Sequence, residues 1–210
     1  MSLSQPAQLA SARLRYDRLQ AADADDVLAV YGDPATWRHL PAGRYASRDR
    51  AAAMIDRSEA SWETAGLGDW AVRSTADLGS LPSGTFLGTV GMTWTDLGDG
   101  LSAWNLGYRF TPASWGLGVA TEAARTALAA VAASGSEDPV TARALTANPA
   151  SIRVLGRVGL TLAWRGATAT VDGSAHPAPA TLPATVTTER VVYADRPLPP
   201  DLLAALVALG

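Results

Sequence analysis

The clearest chemical signal in the chain lies in residues 106–122, which read LGYRFTPASWGLGVATE. The apolar and aromatic start predicts a strand, Pro112 marks a turn, and Gly116 and Gly118 precede a predicted helix. The N-terminus of a helix presents backbone N–H groups without intrahelical partners, and the helix dipole adds partial positive charge there. Such a terminus binds phosphate readily, so this segment predicts a site for a phosphate-bearing ligand.

Two common phosphate-binding motifs do not account for this segment. The glycines match only the start of the dinucleotide-binding pattern GxGxxG, with acidic residues following about twenty positions later at Glu137 and Asp138. Those acids precede a predicted strand, whereas the ribose-binding acid of that motif follows one, and the repeated β-α-β units are missing. The phosphate loop of nucleotide hydrolases requires a Lys, and this chain contains none.

Composition excludes several other kinds of chemistry. The 210 residues, with a net charge of -3, predict one globular domain and no broad nucleic-acid surface. Because Cys and Lys are both absent, disulfides, thiolate metal sites, a cysteine nucleophile and a Schiff-base lysine are excluded. His39 and His176 supply the two imidazoles. With no signal peptide and no apolar run of about 20 residues, we expect a cytoplasmic protein without a membrane partner.

The predicted elements follow the order β-α-α-β-β-β-α-β-α-β-β. Three strands joined as antiparallel hairpins precede a single β-α-β crossover, which indicates an α+β (mixed α/β) fold. Residues 1–12 are predicted to be a flexible N-terminus, and residues 13–196 a single domain with a mobile, Pro-rich loop at 172–185. The tail, residues 197–210, contains an apolar helix that we expect to pack on its own domain.

Two motifs in this chain resemble those of the GNAT N-acetyltransferase superfamily. The family's acyl-CoA loop reads Arg/Gln-x-x-Gly-x-Gly/Ala, and Trp115, Gly118 and Ala120 occupy its conserved places. A second family motif, N-x-x-S-x-x-V-x-x-x-x-G-F, is matched from Asn148 to Leu160, with Leu160 in place of Phe. The match is closest to the branch of ribosomal-protein N-terminal acetyltransferases. The two motifs stand in the family order, and the resemblance extends over residues 13–170.

The resemblance implies a mostly antiparallel, twisted GNAT-like sheet of about six to seven strands flanked by about four helices. It also implies acetyl-CoA as cosubstrate and no metal ion. The thioester carbonyl would meet backbone N–H groups near Arg109 and Phe110. Asn148 would contact the coenzyme arm, and its position before Pro149 also predicts a helix N-cap. The coenzyme pyrophosphate is assigned to the loop residues Trp115, Gly116, Leu117, Gly118, Val119, Ala120 and Thr121.

Catalytic roles follow less directly. The resemblance makes Ser151 the group that protonates the leaving thiolate. Amine attack on a thioester requires a neutral amine, so a carboxylate or a water chain must take up the proton. The family often carries an acid where this chain has Asn105, whose amide would hold a water molecule or orient the substrate instead. His39 and Asp69 are alternative bases, and Glu122, on the loop helix, is expected to be structural.

The sequence therefore predicts an acetyl-CoA-dependent N-acyltransferase, in which a primary amine of a protein N-terminus or a small molecule attacks the thioester directly. Two alternatives stay open: a GNAT-like module that binds acyl-CoA without turnover, and an assembly module that uses its apolar tail. Whether the chain forms a homodimer also stays open. Four tryptophans are candidates for lining an acceptor groove: Trp37, Trp62, Trp94 and Trp104.

Overall fold

One sheet runs through the molecule, with helices on both of its faces. The computed structural model describes residues 8–170 and 186–209, which contain eight strands and five α-helices. The strands are β1 Gln8–Ala10, β2 Leu14–Arg18, β3 Asp69–Ser74, β4 Phe86–Gly98, β5 Leu101–Phe110, β6 Val140–Leu145, β7 Thr161–Thr170 and β8 Val186–Ala194. The helices are α1 Ala24–Tyr31, α2 Arg48–Ala65, α3 Val119–Ser134, α4 Pro149–Arg157 and α5 Pro200–Ala208.

The sheet has the order β1-β2-β3-β4-β5-β6-β8-β7, and one of its pairings is unusual. Every neighbouring pair is antiparallel except β5 and β6, which are parallel. These two strands pair only at Trp104–Val140 and Asn105–Thr141. Beyond Asn105 no further residues of the two strands are paired, and the strands diverge. This divergence opens a wedge in the middle of the sheet, and the wedge positions the site described below.

Side chains alternate between two cores on the two faces of the sheet. On β3, Trp70 and Val72 belong to the core on the side of α3, whereas Ala71 belongs to the core formed by α1 and α2. Trp62 of α2 packs edge-to-face on Trp70, with ring centroids 5.0 Å apart. Fully burying a large apolar side chain contributes about 1.5–3 kcal/mol, so these two cores hold both helix layers on the sheet.

Local signals set the helix boundaries as the sequence predicts. Asn148 caps α4, since its Oδ1 accepts a hydrogen bond from the Ser151 N–H at 3.2 Å, and Pro149 fills the first helical position. Gly118 and Gly135 stand at the two ends of α3 with φ of 80° and 72°. Only glycine adopts such left-handed angles without strain, so the two residues fix where α3 begins and ends.

The observed architecture confirms the predicted α+β class, although the described residues contain eight strands and five α-helices, against about six to seven and about four predicted. Gln8–Ala10 form β1, an edge strand paired with β2, where the sequence analysis expected a flexible segment. In the tail, Leu202 and Leu206 of α5 pack against Ala103, as expected for a helix that docks on its own domain. The predicted loop at 172–185 and His176 lie outside the described residues. Among the helices of the described residues, none is long and apolar enough to cross a membrane.

Candidate active site

The predicted phosphate-binding loop has the geometry of an anion site. Trp115 is half-exposed, and its indole N–H donates to the Phe110 carbonyl at 3.0 Å. Gly116 and Gly118 both have φ of 80°, and a Cβ at Gly116 would meet no atom within 4 Å. The first hydrogen bond of α3 runs from the Glu122 N–H to the Gly118 carbonyl at 3.1 Å. The N–H groups of the intervening residues 119–121 therefore have no intrahelical acceptor, and the helix dipole adds positive potential there.

A cluster of contacts to the N-terminal segment holds this loop in place. Arg13 donates to Leu117 O at 2.9 Å and forms an ion pair with Glu122 at 2.8 Å. Glu122 also accepts hydrogen bonds from the Ser11 hydroxyl and from the Arg13 backbone N–H. Burial opposes ionisation of Glu122, but the hydrogen bonds from Ser11 and Arg13 outweigh it and lower its pKa. Glu122 thus acts as the structural residue that the sequence predicted.

A cavity of about 210 Å³ lies at the wedge between β5 and β6, and its lining includes residues from both sides of the sheet. The Thr111 N–H donates to the Leu87 carbonyl, and the β4–β5 register continues unbroken from there through Asn105. Backbone groups alternate along an antiparallel strand, so Gly107 and Arg109 bond to β4, whereas Leu106, Tyr108 and Phe110 direct theirs toward the wedge. The N–H groups that face the wedge are therefore those of Tyr108 and Phe110, and the Arg109 N–H points to β4.

On the α3–α4 face, the cavity meets a pair of hydroxyl groups. The Tyr108 hydroxyl lies 2.9 Å from Ser151 Oγ and donates to the Ser151 carbonyl at 3.2 Å. Burial raises the pKa of Tyr108 to about 12, and the hydrogen bond from Ser151 offsets only part of that rise. The side chain of Asn148 caps α4 with its oxygen, and its amide nitrogen lies 3.4 Å from His39 Nε2. The tyrosine is thus protonated at neutral pH and can donate a hydrogen bond.

On the α1–α2 face, the cavity floor is formed by a row of three residues across β3, β4 and β5. Asp69 pairs with Gly91, and Gly91 pairs with Gly107. A side chain at Gly91 would overlap the Asp69 carboxylate, whereas a Cβ at Gly107 would meet no atom within 4 Å. The two glycines therefore leave room for the carboxylate and for a ligand. Beside them, the buried Oδ1 of Asn105 accepts no hydrogen bond from any residue in the described ranges.

Burial shifts the pKa of both bases that the sequence left open, and both are in their proton-accepting form at neutral pH. Burial raises the pKa of Asp69 to about 6, although nearby Arg57 and a hydrogen bond from Ser58 favour its charged form. A carboxyl group with this pKa is ionised at neutral pH and can accept a proton. Burial, together with the charge of Arg109, lowers the pKa of His39, so its imidazole is neutral.

Arg109 joins the floor to the loop after α1. Its guanidinium stacks on the Trp37 ring, 3.4 Å from the ring centroid, and donates to the Thr36 carbonyl. The Tyr31 ring lies 5.3 Å from the same group. Among residues 8–170 and 186–209, no carboxylate lies within ion-pair distance of this guanidinium, and burial lowers its pKa. A half-buried positive charge thus stands beside the cavity.

The structure brings together most of the predicted site residues and adds others. Lining the one cavity are the predicted residues Asn105, Arg109, Asn148, Ser151, His39, Asp69 and Trp37. The three other candidate tryptophans are not among the residues that line this cavity. Trp62 and Trp104 are buried in the core, and Trp94 donates to Asp138 at the surface.

Sequence reasoning gave no role to Tyr108, Arg143 and Arg190, which also line the cavity. Tyr108 stands inside the recognised motif and two positions from Phe110, and this spacing could have drawn attention to it. The two arginines carry no local signal, because only the pairing of β6 with β8 brings them together. Within the described residues, no group of three or more His, Cys, Asp or Glu side chains could hold a metal ion.

Comparisons with known proteins agree with this geometry. A family model described as an acetyltransferase (GNAT) domain matches residues 13–161. A protein named as a GnaT-family acetyltransferase from Bordetella pertussis shares 18% identity and a TM-score of 0.67, with 90% of this chain and 99% of that chain covered. No protein with a curated description matches the chain.

Two further structures were solved with bound coenzyme. The microcin C7 self-immunity acetyltransferase MccE, in complex with acetyl-CoA and AMP, has a TM-score of 0.67 at 13% identity, covering 91% of this chain and 97% of that chain. RimL, a ribosomal L7/L12 α-N-protein acetyltransferase in complex with coenzyme A, has a TM-score of 0.62 at 13% identity, covering 88% and 94%.

Such low identities establish a common fold and nothing finer. The family model is more informative, because it spans more than half of the chain and includes both motifs that carry the resemblance. It also includes the diverging strands β5 and β6 and the glycine-bounded start of α3. The chain belongs to the GNAT acetyltransferase family.

Proposed function

We propose that this protein transfers the acetyl group of acetyl-CoA to a primary amine, on a protein N-terminus or a small molecule, by direct attack on the thioester. The observation that carries the proposal is a cavity at the wedge whose lining includes residues from both sides of the sheet. It is lined from one face by Tyr108 and Ser151 and from the other by Asn105 and Asp69. A thioester and an amine that enter from opposite faces would meet there.

The donor side fits a coenzyme with a pyrophosphate. The free N–H groups of residues 119–121 and the left-handed glycines let an anion approach the backbone closely. Solved structures of the same fold hold acetyl-CoA or coenzyme A. From this loop the coenzyme arm would run along the wedge, past Asn148. The Tyr108 and Phe110 N–H groups that face the wedge would then polarise the thioester carbonyl.

The reaction needs a base that takes a proton from the amine and a donor that supplies a proton to the leaving thiolate. The amine nitrogen attacks the carbonyl carbon, a C–N bond forms, and the C–S bond breaks to give an amide and a thiolate. Tyr108 stays protonated, so its hydroxyl would turn from the Ser151 carbonyl to donate a hydrogen bond to the developing thiolate, with Ser151 Oγ 2.9 Å away. The thiolate finally takes a proton from the Ser151 hydroxyl, the role that the resemblance gives to this residue, and Ser151 recovers a proton from solvent. The products are an amide and coenzyme A.

Asp69 is the residue that we propose as the general base. The position where relatives often carry an acid is Asn105 here, whose amide cannot accept the proton. Asp69 reaches the same cavity from β3, across Gly91, and its pKa of about 6 leaves it ionised at neutral pH. A water molecule that donates to Asn105 Oδ1 would relay the proton from the amine to this carboxylate.

This carboxylate favours an enzyme over a module that binds acyl-CoA without turnover. Burying a charged group is costly, and strongly shifted carboxyl groups in a cleft are typical of catalytic sites. The alternative of an assembly module was based on an apolar tail that could bind a partner. Leu202 and Leu206 of this tail instead pack against Ala103 of the same chain, so the alternative is less well supported.

Two measurements test the proposal in sequence. Calorimetric titration with acetyl-CoA should show binding in the micromolar range, and absence of binding at hundreds of micromolar would exclude both coenzyme-dependent functions. Thiol release should then be measured with a panel of N-terminal peptides, amino acids, polyamines and aminoglycosides. Release above the hydrolytic background, with a matching gain of 42 Da in the amine product (about the mass of one added acetyl group, C₂H₂O), is the expected result. Coenzyme binding without transfer to any class would favour the non-catalytic module.

A further inference from the structure

The segment that follows α1 is held against the body of the protein by buried contacts. The Trp37 indole N–H donates to the Tyr31 carbonyl at 2.6 Å, and Thr36 Oγ1 donates to the Val30 carbonyl at 3.1 Å. Both Thr36 and Trp37 are buried. These contacts fix the backbone just before Arg38, whereas the Arg38 side chain itself is exposed to solvent.

The Arg38 side chain reaches the loop that is assigned to the coenzyme pyrophosphate. Its guanidinium carbon lies 6.0 Å from the centroid of the Trp115 ring, and Trp115 is half-exposed. Trp115 is the first residue of the segment 115–121, which carries two left-handed glycines and the free N–H groups at the start of α3. A residue from outside both recognised motifs therefore stands beside this loop.

Residues next to Arg38 also contact the proposed donor side. His39 Nε2 lies 3.4 Å from the amide nitrogen of Asn148, whose oxygen caps α4. The Arg109 guanidinium, from β5, donates to the Thr36 carbonyl. Residues 36–39 thus contact β5, the start of α4 and the donor loop, so Arg38 lies between anchored neighbours and its reach is limited to the loop region.

Two arginines flank the donor loop, and they differ in how their charges are paired. Arg13 forms an ion pair with Glu122 at 2.8 Å and donates to the Leu117 carbonyl, so its charge is compensated. Across residues 8–170 and 186–209, no carboxylate lies within ion-pair distance of Arg38. Stacking on an aromatic ring leaves the in-plane N–H donors of a guanidinium available for an anion.

We propose that Arg38 binds a phosphate group of the coenzyme and completes the donor site from the segment after α1. Arginine suits this role, because its planar donors pair with two phosphate oxygens and its charge persists at every physiological pH. The N–H groups of α3 contribute only partial charges, and Arg38 adds a full one. The inference rests on the coenzyme binding in the proposed function and gives that site a further residue.

Calorimetry on single variants tests the proposal. Dissociation constants are measured for coenzyme A and for 3′-dephospho-coenzyme A, at low and at physiological ionic strength. We expect Arg38→Gln to weaken coenzyme A binding about tenfold at low ionic strength, and salt should reduce this difference, because the charge is exposed. Arg38→Lys keeps the charge and should lose about twofold. An equal loss for both compounds assigns the pyrophosphate, and a loss for coenzyme A alone assigns the 3′-phosphate.

A matched control comes from the same connection between α1 and α2. Arg44 is also exposed, and Arg44→Gln should bind coenzyme A within twofold of the unmodified protein. An Arg38→Gln affinity within twofold of the unmodified protein would overturn the proposal. Equal losses in the Gln and Lys variants at both ionic strengths would also overturn it, since the ring contact and not the charge would then account for the effect.

The outcomes separate this proposal from the proposed acetyl transfer. Coenzyme binding that depends on Arg38, without thiol release in the presence of any amine, would refute the transfer and leave the phosphate contact standing. Acetyl transfer by a protein whose coenzyme affinity is independent of Arg38 would have the opposite meaning. Absence of coenzyme binding by the unmodified protein would overturn both.

Discussion

The proposed donor loop and the proposed acceptor side of the cavity are built in opposite ways. The donor loop is one contiguous segment, residues 115–121, whose shape follows from two left-handed glycines and the start of α3. The acceptor side of the cavity collects residues from α1, α2, the loop between them and five strands, with Asp69, Asn105 and Arg190 far apart in sequence. A site made of backbone tolerates changes of side chain, whereas a site made of side chains changes its ligand when any of them changes.

The two regions also differ in how their charges are arranged. Glu122, in the donor region, is paired with Arg13 and satisfied by several hydrogen bonds, so its charge stabilises the loop. In the acceptor region, burial raises the pKa of Asp69 to about 6, so its carboxylate is ionised at neutral pH at a cost in stability. A carboxylate with several hydrogen bonds stabilises the structure, whereas a carboxylate with a raised pKa can accept a proton in catalysis. The five predictions below test this contrast, and the largest expected effect comes first.

Blocking the donor loop should abolish coenzyme binding. In Gly118→Trp, the new side chain would occupy the space over the free N–H groups of α3, so we expect no acetyl-CoA binding by calorimetry. Gly135→Trp is the matched control, because Gly135 has a similar φ at the opposite end of α3. Both variants should lose about 1–2 kcal/mol of stability to the left-handed backbone, and only the first should lose binding. Retained affinity in Gly118→Trp would place the coenzyme elsewhere.

Removing the proposed base should lower turnover and leave coenzyme binding intact. We expect Asp69→Asn to reduce kcat by roughly 10²–10³-fold, which is within the range of general-base catalysis. In the unmodified protein, kcat/KM should fall as the pH drops through about 6, since the protonated carboxyl cannot accept a proton. Asp25→Asn, at an exposed carboxylate, should change neither quantity. An acid limb that persists in Asp69→Asn would assign the titration to another group.

The same substitution should stabilise the fold. The native carboxyl binds its proton more tightly than the unfolded one, whose pKa is near 3.8, so stability falls as the pH rises from about 4 to about 6. The charge of Asp69 then costs up to about 3 kcal/mol at pH 7, by the equivalence of 1.36 kcal/mol per pKa unit. Asp69→Asn should have a higher Tm at pH 7, with a smaller difference below pH 4. Equal Tm values at both pH values would argue against a strained charge.

The tyrosine on the donor face should have a smaller effect. Tyr108→Phe removes the hydroxyl that would face the developing thiolate, and we expect kcat to fall about tenfold, or roughly 1.4 kcal/mol. Tyr16→Phe is the control, because Tyr16 is buried, with hydroxyl contacts to Ser11 and Thr126, on a strand away from the cavity. That variant should lose stability and keep its kcat. An equal effect of both variants on kcat would point to a general loss of packing.

Loosening the support of the donor loop should have the smallest effect. Glu122→Gln weakens the contacts to Arg13 and Ser11, so we expect about 1 kcal/mol of lost stability, discounted because Arg13 is partly exposed to solvent. The affinity for acetyl-CoA should fall by a factor of about two to five, which corresponds to about 0.4–1 kcal/mol of binding free energy. Glu189→Gln, in an exposed pair with Arg165, should change neither value. A loss of coenzyme binding as complete as that in Gly118→Trp would mean that Glu122 contacts the ligand.

Much of the fold could be predicted from the sequence, because its elements carry strong local signals. The Asn148–Pro149 pair specified the start of α4, and Gly118 specified the start of α3. The short β1 was missed, because three half-exposed residues give no periodic pattern, and only their pairing with β2 makes them a strand. Fold class and family followed from signals within single segments.

The acceptor side was much less predictable. The sequence left Asp69 as one of two candidate bases. Its position beside Gly91 and Gly107 depends on the register of three strands, which the sequence does not show. Tyr108 and Ser151 are 43 residues apart and meet only when α4 packs on β5. Arg143 and Arg190 meet only through the pairing of β6 with β8. In each case the sequence named a residue type and gave no partner.

The sequence by itself determined the backbone of the donor loop, since glycine conformation, helix capping and the helix dipole act within a few residues of one another. It also determined the family, through two motifs in order. Only the tertiary structure decided the acceptor side. The divergence of β5 from β6 opens the cavity, and long-range strand pairing sets which carboxylate and which arginines face it. Pairing and burial couple residues that are remote in the chain, so the side chains that line the cavity can be identified only in the folded structure.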